Sequence, residues 1–353
     1  LILRLIALLW LFAPATASAE IRALLIGASD YDDSLRIADL AGPPNDVRLM
    51  ESVLRARGVT DFVVLSDGVE GAARPTYEDI LNAFDALARR AVPGDLVIVQ
   101  MSGHGTQQID QDGDESDGLD EVFLPVDSAP GPAGSGLIKN ALVDDEIARL
   151  VRRVRETGAD IWLIMDSCHS GSGMRAIGDK AVARFVDPEV FGIDTLAPRE
   201  AHDTPPVETE EDPALPGREI AFFAAQSNEL AYEISLSDDN AGQADTYGLF
   251  TAKLAARLQT REAMSYRQLF QAVLKDINDT PGSMSVRAQT PLWEGALGDA
   301  PVLGGSGVRP FAQVEVEGNK VFGGLVHGFA QGTLLALVAD ATSDDVIGFA
   351  QVE

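Results

Sequence analysis

Apolar runs of strand length recur along the chain, separated by stretches whose apolar positions follow a helical period. Arg22 to Ser29, Asp61 to Ser66, Asp95 to Met101, Asp160 to Met165 and Glu219 to Gln226 read as strands. Their near-continuous Val, Ile and Leu suit strands buried on both faces, as inside a parallel sheet. Between them, Asn45 to Gly58 reads as a helix with Asn45 as N-cap and Gly58 as terminator. Thr76 to Ala91 reads as a second helix, opened by Thr76 with Asp79 three residues on. Asp144 to Thr157, Gly248 to Gln259 and Ser265 to Asn278 supply three more. This alternation predicts an α/β fold, a doubly wound, mostly parallel sheet with helices on both faces. After the flexible break Gly304 to Gly307 the pattern changes. Phe311 to Glu317, Gly323 to Val326, Gly332 to Ala339 and Val346 to Val352 read as short strands between glycine turns, a small β module.

Two strand ends carry chemistry. The run from Asp160 stops abruptly at Asp166-Ser167-Cys168-His169-Ser170-Gly171, which holds the only cysteine among 353 residues. The run from Asp95 stops at Ser102-Gly103-His104-Gly105, where glycines flank a histidine and leave its imidazole unobstructed. Open α/β sheets place their chemistry at the carboxyl ends of the strands. Two parallel strands can therefore bring a thiol and an imidazole to one edge although 64 residues separate them (168 − 104). A thiolate is the reactive form of cysteine, and a neighbouring His can take its proton and return it to a leaving amine. His169 adjoins the nucleophile, but successive residues leaving a strand point apart, which favours His104 as the base. His202 and His327 fall in the acidic segment and the tail.

Ser102-Gly103-His104-Gly105 followed by Asp166-Ser167-Cys168-His169-Ser170-Gly171 resembles the catalytic pair of the metacaspases, caspase-like cysteine peptidases, bacterial type. The resemblance covers roughly residues 21–303 and implies a caspase-like fold. It implies a cysteine endopeptidase with Cys168 as nucleophile and His104 as acid and base, and the backbone N–H groups of Gly103 and Cys168 as oxyanion donors. It implies an S1 pocket built on Asp46, Ser102 and Asp166, hence a protein or peptide substrate with Arg or Lys at P1, since a guanidinium pairs well with buried carboxylates. It further implies calcium activation, with ligands mapping onto Asp120, Asp144 and Asp145. The next ligand position, seven residues after the nucleophile, holds Arg175 here. No cofactor is required for the chemistry itself. The alternative is a catalytically silent caspase-like module that binds a partner or calcium.

The implied layout is a peptidase domain over 20–303, with a large-subunit part 20–174, a linker of about 175–218 and a small-subunit part 219–303. The module over 308–353 then reads as truncated. Glu200 to Pro216 holds six carboxylates, four prolines and no Lys or Arg, too polar to order itself. Arg175, Lys180, Arg184, Arg199 and Arg218 bracket it, so an enzyme cutting after basic residues is expected to process itself there. The segment from Asp110 to Asp127 is also acidic, and Asp110, Asp112, Asp114 and Glu121 fall at EF-hand loop positions. Glu115 stands where that loop needs Gly and a strand-like Phe123-Leu124 follows, which excludes an EF-hand.

Charge and cysteine content narrow the rest. A formal net charge of −28 disfavours nucleic acid and anionic membrane surfaces as partners. One cysteine excludes an internal disulfide framework and Cys-rich zinc sites. At the N-terminus Arg4 precedes the apolar run Leu5 to Ala13, and Ala17-Ser18-Ala19 offers a cleavage site before Glu20. Residues 1–19 thus read as a secretory signal peptide, too short to span a bilayer, and the mature protein as periplasmic or extracellular without stable membrane insertion.

Overall fold

The computed structural model of the chain describes residues 19–113, 115, 117–168, 182–195, 215–237, 244–280, 289–306, 314, 316–318, 320–321, 331–339 and 345–352. In chain order its first half holds β1 Ile21–Gly27, α1 Gly42–Ala56, β2 Asp61–Ser66, α2 Tyr77–Arg90, β3 Leu96–Ser102, β4 Gly105–Ile109 and β5 Leu119–Phe123. Then come β6 Ala129–Pro130, β7 Ile138–Lys139, β8 Leu142–Val143, α3 Asp144–Arg155, β9 Asp160–Asp166 and β10 Val182–Ala183. β11 Glu219–Phe223, β12 Tyr232–Ser237, β13 Ala244–Gly248, α4 Leu249–Gln259, α5 Tyr266–Asn278 and β14 Leu292–Gly295 complete the domain. The tail adds β15 Val316–Glu317, β16 Lys320–Val321, β17 Leu334–Val338 and β18 Val346–Gln351.

The central sheet has the order β14-β11-β9-β3-β1-β2. Five strands run parallel and β14 closes one edge antiparallel to β11. Side chains alternate along each strand, so the sheet feeds two cores. Leu25, Ile98, Trp162, Ile164 and Phe222 join residues of α1, α4 and α5 in one. Leu24, Ile26, Val99, Ile161 and Met165 join residues of α2 and α3 in the other. This is the α/β layout expected from the sequence, a mostly parallel sheet between helices, and the five strands read from the sequence are those of the parallel sheet.

Helix boundaries differ where local chemistry overrides the first reading. Helix α1 begins at Gly42, so Asn45 lies inside the first turn and is not the N-cap. Pro43 and Pro44 occupy the opening positions, where a fixed φ suits the helix and a missing N–H costs nothing. Thr76 does cap α2, accepting from the Asp79 N–H, and Ser265 forms a full capping box with Gln268 at α5. Part of the acidic segment is ordered: β4 pairs with β5, and β5 with β8, beside the sheet edge that carries the site.

Part of the stretch read as linker is built into the domain. Residues 182–195 run as strand β10, paired with β12, and a short 3₁₀ turn Pro188–Phe191, with Phe185, Val186, Phe191 and Ile193 buried. In the tail, β17 pairs with β18 and β15 with β16. Residues 1–18, Arg175, His169, Lys180, Arg199, His202, Gly323 to Val326 and His327 lie outside the described residues. Among the described residues no helix is long and apolar enough to cross a membrane.

Candidate active site

Register brings the chain at His104 and the chain at Cys168 out of neighbouring strands. β3 and β9 are neighbours, and Ser102 pairs with Asp166 at the end of the ladder. His104 and Cys168 each lie two residues past that pair, so they leave adjacent strands together at the carboxyl edge. The exits are tightly packed: a Cβ on Gly105 would sit 1.7 Å from the Cys168 carbonyl oxygen. Glycine is the residue that fits.

His104 is held from three sides. Its Nε2 lies 2.8 Å from the Ala38 carbonyl, to which it donates, leaving Nδ1 as the acceptor. That Nδ1 is buried and, among the described residues, has no partner at ordinary hydrogen-bond geometry. The His104 backbone N–H donates to the Tyr31 hydroxyl at 3.1 Å, and the Tyr31 ring packs 5.2 Å from the imidazole. Burial chiefly, with the Arg184 charge adding to it, pushes the imidazole down to about 4 from an ordinary 6.5.

Cys168 is fully buried. Its Sγ donates to the Ala231 carbonyl at 3.3 Å and accepts the Ala231 N–H at 2.9 Å. Burial raises the thiol to about 12, despite help to the thiolate from the Ala231 and Arg184 backbone bonds. Thiol and imidazole are thus both neutral in this arrangement.

Asp46, Ser102 and Asp166 do converge, on a fully buried side chain that sequence reasoning placed only as a flank of the linker. The Arg184 guanidinium donates to Asp46 Oδ2 at 2.6 Å and to Ser102 Oγ at 2.7 Å, and lies 3.2 Å from Asp166 Oδ1. A third carboxylate, Glu233, stands 3.3 Å away. Each acid is itself fixed. Asp46 accepts the Gly248 N–H and the Ser102 hydroxyl; Asp166 accepts from the Thr251 N–H at 3.0 Å and hydroxyl at 2.6 Å; Glu233 accepts the Gly42 N–H. A Cβ on Gly248 would lie 2.2 Å from Asp166 Oδ2, and one on Gly42 2.4 Å from Glu233 Oε1, so both walls exclude any side chain.

The charges explain the occupant. Burial raises Asp46 to about 6, with Asp166 adding to it and Arg184 opposing. Burial alone would lower the Arg184 guanidinium, but Asp166, Asp46 and Glu233 outweigh it and carry the value up. Three buried carboxylates surround one guanidinium, and because desolvation offsets their attraction such a cluster is weak evidence for net stability.

The Arg184 backbone is seated as well. Its N–H donates to the Ala231 carbonyl at 3.0 Å. Its carbonyl accepts the Cys168 N–H at 3.2 Å and the Gly105 N–H at 3.0 Å. The Gly103 N–H instead points to the Asp166 carbonyl at 3.4 Å, completing the strand ladder. The two donors that meet on one carbonyl are therefore those of Cys168 and Gly105, and Gly103 is displaced from that expectation. Gly105 was legible in the same tetrapeptide; Glu233, a lone acid inside an otherwise buried run, was the signal passed over.

The expected calcium ligands lie on β5 (Asp120) and the first turn of α3 (Asp144, Asp145). Burial and neighbouring carboxylates raise Asp120 and Asp144 to about 6, and Asp145 is raised too, burial first and then Asp112. Carboxylates are the right donors for calcium. Among the described residues, however, no three acidic, His or Cys side chains gather closely enough to hold a metal ion, and Asp145 lies 3.5 Å from Arg149. As placed, the three do not form a calcium site.

Comparisons with known proteins follow the same outline. The family model for the metacaspase peptidase C14 domain matches residues 21–176. Metacaspase-1A of Aspergillus niger is 36% identical over 167 residues, 46% of this chain and 39% of that one. Metacaspase-1 of Coccidioides immitis is 38% identical over 159 residues, 43% of this chain and 32% of that one. The matches thus span well under half the length of these relatives. A solved structure of a Geobacter sulfurreducens protein superposes with TM-score 0.52 at 22% identity, covering 78% of this chain and 93% of its own, a likeness of fold.

Proposed function

From the match of residues 21–176 to the metacaspase peptidase C14 family model, we propose that the chain is a cysteine endopeptidase cutting protein substrates after Arg or Lys. Cys168 is the nucleophile and His104 the acid and base. The observation that carries the reading is Arg184, a basic residue whose side chain fills the acidic socket while its carbonyl rests on the N–H groups of Cys168 and Gly105.

The chemistry follows from that pose. His104 Nδ1, its other nitrogen fixed on the Ala38 carbonyl, takes the thiol proton. The thiolate attacks the P1 carbonyl carbon, and charge developing on the oxygen is met by two N–H donors already in place. The C–N bond breaks, His104 protonates the leaving amine, and water then hydrolyses the thioester. Asp46, Asp166 and Glu233 hold the P1 cation, and the Ala231 carbonyl takes the P1 N–H.

Self-processing belongs to the same proposal: of the two described basic residues flanking the acidic segment, Arg184 and Arg218, Arg184 is the one whose carbonyl meets the Cys168 N–H. Calcium remains a candidate modulator of the acidic loop, and no step is routed through it. Export to the periplasm or exterior remains our reading of the N-terminal segment, to be checked by whether the mature chain begins at Glu20.

The test is turnover of fluorogenic peptides differing only at P1, Arg, Lys or Asp, with and without calcium. Arg and Lys peptides should be cleaved and Asp should not, and Cys168→Ala and His104→Ala should both be silent. A folded wild type, with its own segment displaced, that cleaves none of them would favour the catalytically silent module.

A further inference from the structure

The segment that occupies the cleft is anchored on both sides of the bond it presents. On the amino side, Val182 and Ala183 pair antiparallel with Glu233 and Tyr232 of β12, extending that sheet as an added strand. On the carboxyl side, Phe185 pairs with Gly105, and the Val186 N–H donates to the Gly105 carbonyl at 3.0 Å. The Val186 carbonyl accepts the Thr106 hydroxyl at 2.6 Å. Phe185 is buried in one core and Val186 in the other, where Phe191 and Ile193 join it. A substrate leaves because its halves separate once the bond is cut. Here the leaving half is part of the domain's interior.

Resting on the peptidase reading above, we propose that residues 182–186 are an in-cis inhibitor, cut slowly and reversibly at Arg184–Phe185, and that cutting this bond does not open the site. The balance of the step explains why. Attack by the Cys168 sulfur forms a thioester at the Arg184 carbonyl carbon and frees the Phe185 amine, which takes its proton from His104. That amine is held where it formed, by the bonds of Val186 and the burial of Phe185. It can attack the thioester, re-form the C–N bond and restore the thiol, in competition with water; a tethered, oriented nucleophile has a large advantage in such a contest. When water does win, Arg184 keeps its carboxylate partners and β10 its pairing, so both new ends stay seated. Opening then requires displacement of 182–184, by a competing basic peptide or a change elsewhere in the domain.

The probe is the rate at which iodoacetamide alkylates Cys168 in the full chain, with intact mass reporting whether 184–185 is cut. Alkylation reads access to the thiol and needs no turnover. Wild type should react slowly whether cut or not, and Arg184→Ala about tenfold faster or more, following the rise in the open fraction. Because Arg184→Ala leaves three buried acids without a cation, Phe185→Ala serves as the second variant. It keeps that pairing but loosens the leaving half, so its cut form should react several-fold faster than cut wild type. Cut wild type reacting as fast as Arg184→Ala would make the segment an ordinary processing site and overturn the proposal, as would an Arg184→Ala protein, melting like wild type, that reacts no faster. Rapid alkylation of Arg184→Ala without any Arg-peptide turnover would instead sink the peptidase reading and leave the plug standing.

Discussion

Asp46 and Gly105 carry the sharpest consequences at the scale of single residues. Asp46 joins three groups at once: the Arg184 guanidinium, the Ser102 hydroxyl and the Gly248 N–H. Asp46→Asn keeps the shape and removes the charge, so it acts on recognition of P1. Losing one partner of a buried charge pair costs about 2–5 kcal/mol. The expected outcome is a fall of at least tenfold in kcat/KM for an Arg peptide, measured after the in-cis segment has been displaced. An unchanged kcat/KM would place the P1 cation elsewhere. Gly105→Ala acts on geometry instead. Its Cβ would collide with the backbone of Cys168, not with a movable side chain, so the strand exits must part. That shift moves a donor off the carbonyl, and loss of one such donor costs about 10²–10³ in kcat.

Strands and helices show what was legible beforehand and what was not. The five parallel strands were readable because each is buried on both faces and therefore almost wholly apolar. His104 and Cys168 were readable because small residues frame them at strand ends. Asp46, Ser102 and Asp166 came from the resemblance, and geometry has since brought them around one guanidinium. What stayed hidden depends on pairing across distance. Val182 and Ala183 hold no strand signal of their own; they become a strand only because β12 offers an open edge. Gly105 and Gly103 are indistinguishable in sequence, and only the ladder, which engages the Gly103 N–H, separates them. Strand β9 joins core to site, and Trp162 is its largest anchor, fully buried with Tyr266 at 4.9 Å and Phe222 at 5.5 Å. Trp162→Ala should cost about 3–5 kcal/mol in urea unfolding, and activity should fall in step with the folded fraction. A loss below 1 kcal/mol would show that α5 and β11 do not depend on that ring.

The whole molecule is strongly acidic, and its pH response is set by which carboxylates are held away from their ordinary values. Asp120 and Asp144 are raised from 3.8 to about 6, first by burial and then by their acidic neighbours. A raised carboxylate binds more protons folded than unfolded between those values. Its stabilising effect is full below about 4 and is lost as pH rises through about 6. His104 works in the opposite sense: with its value pushed down to about 4, the unfolded chain binds the extra proton between about 4 and 6.5, and stability is lost as pH falls through that window. The two effects overlap in one interval, so a wild-type melting curve alone cannot separate them. Asp120→Asn and Asp144→Asn can, because each removes the carboxylate and leaves the imidazole. In buffer with a chelator, each variant should melt higher than wild type at pH 8, by about 1 kcal/mol or less after allowing for solvent screening of partly exposed groups. At pH 4 the gain should vanish, since the wild-type carboxyls are then already neutral. A gain equal at both pH values would mean that the amides improve packing and that repulsion in the acidic cluster is not what they relieve.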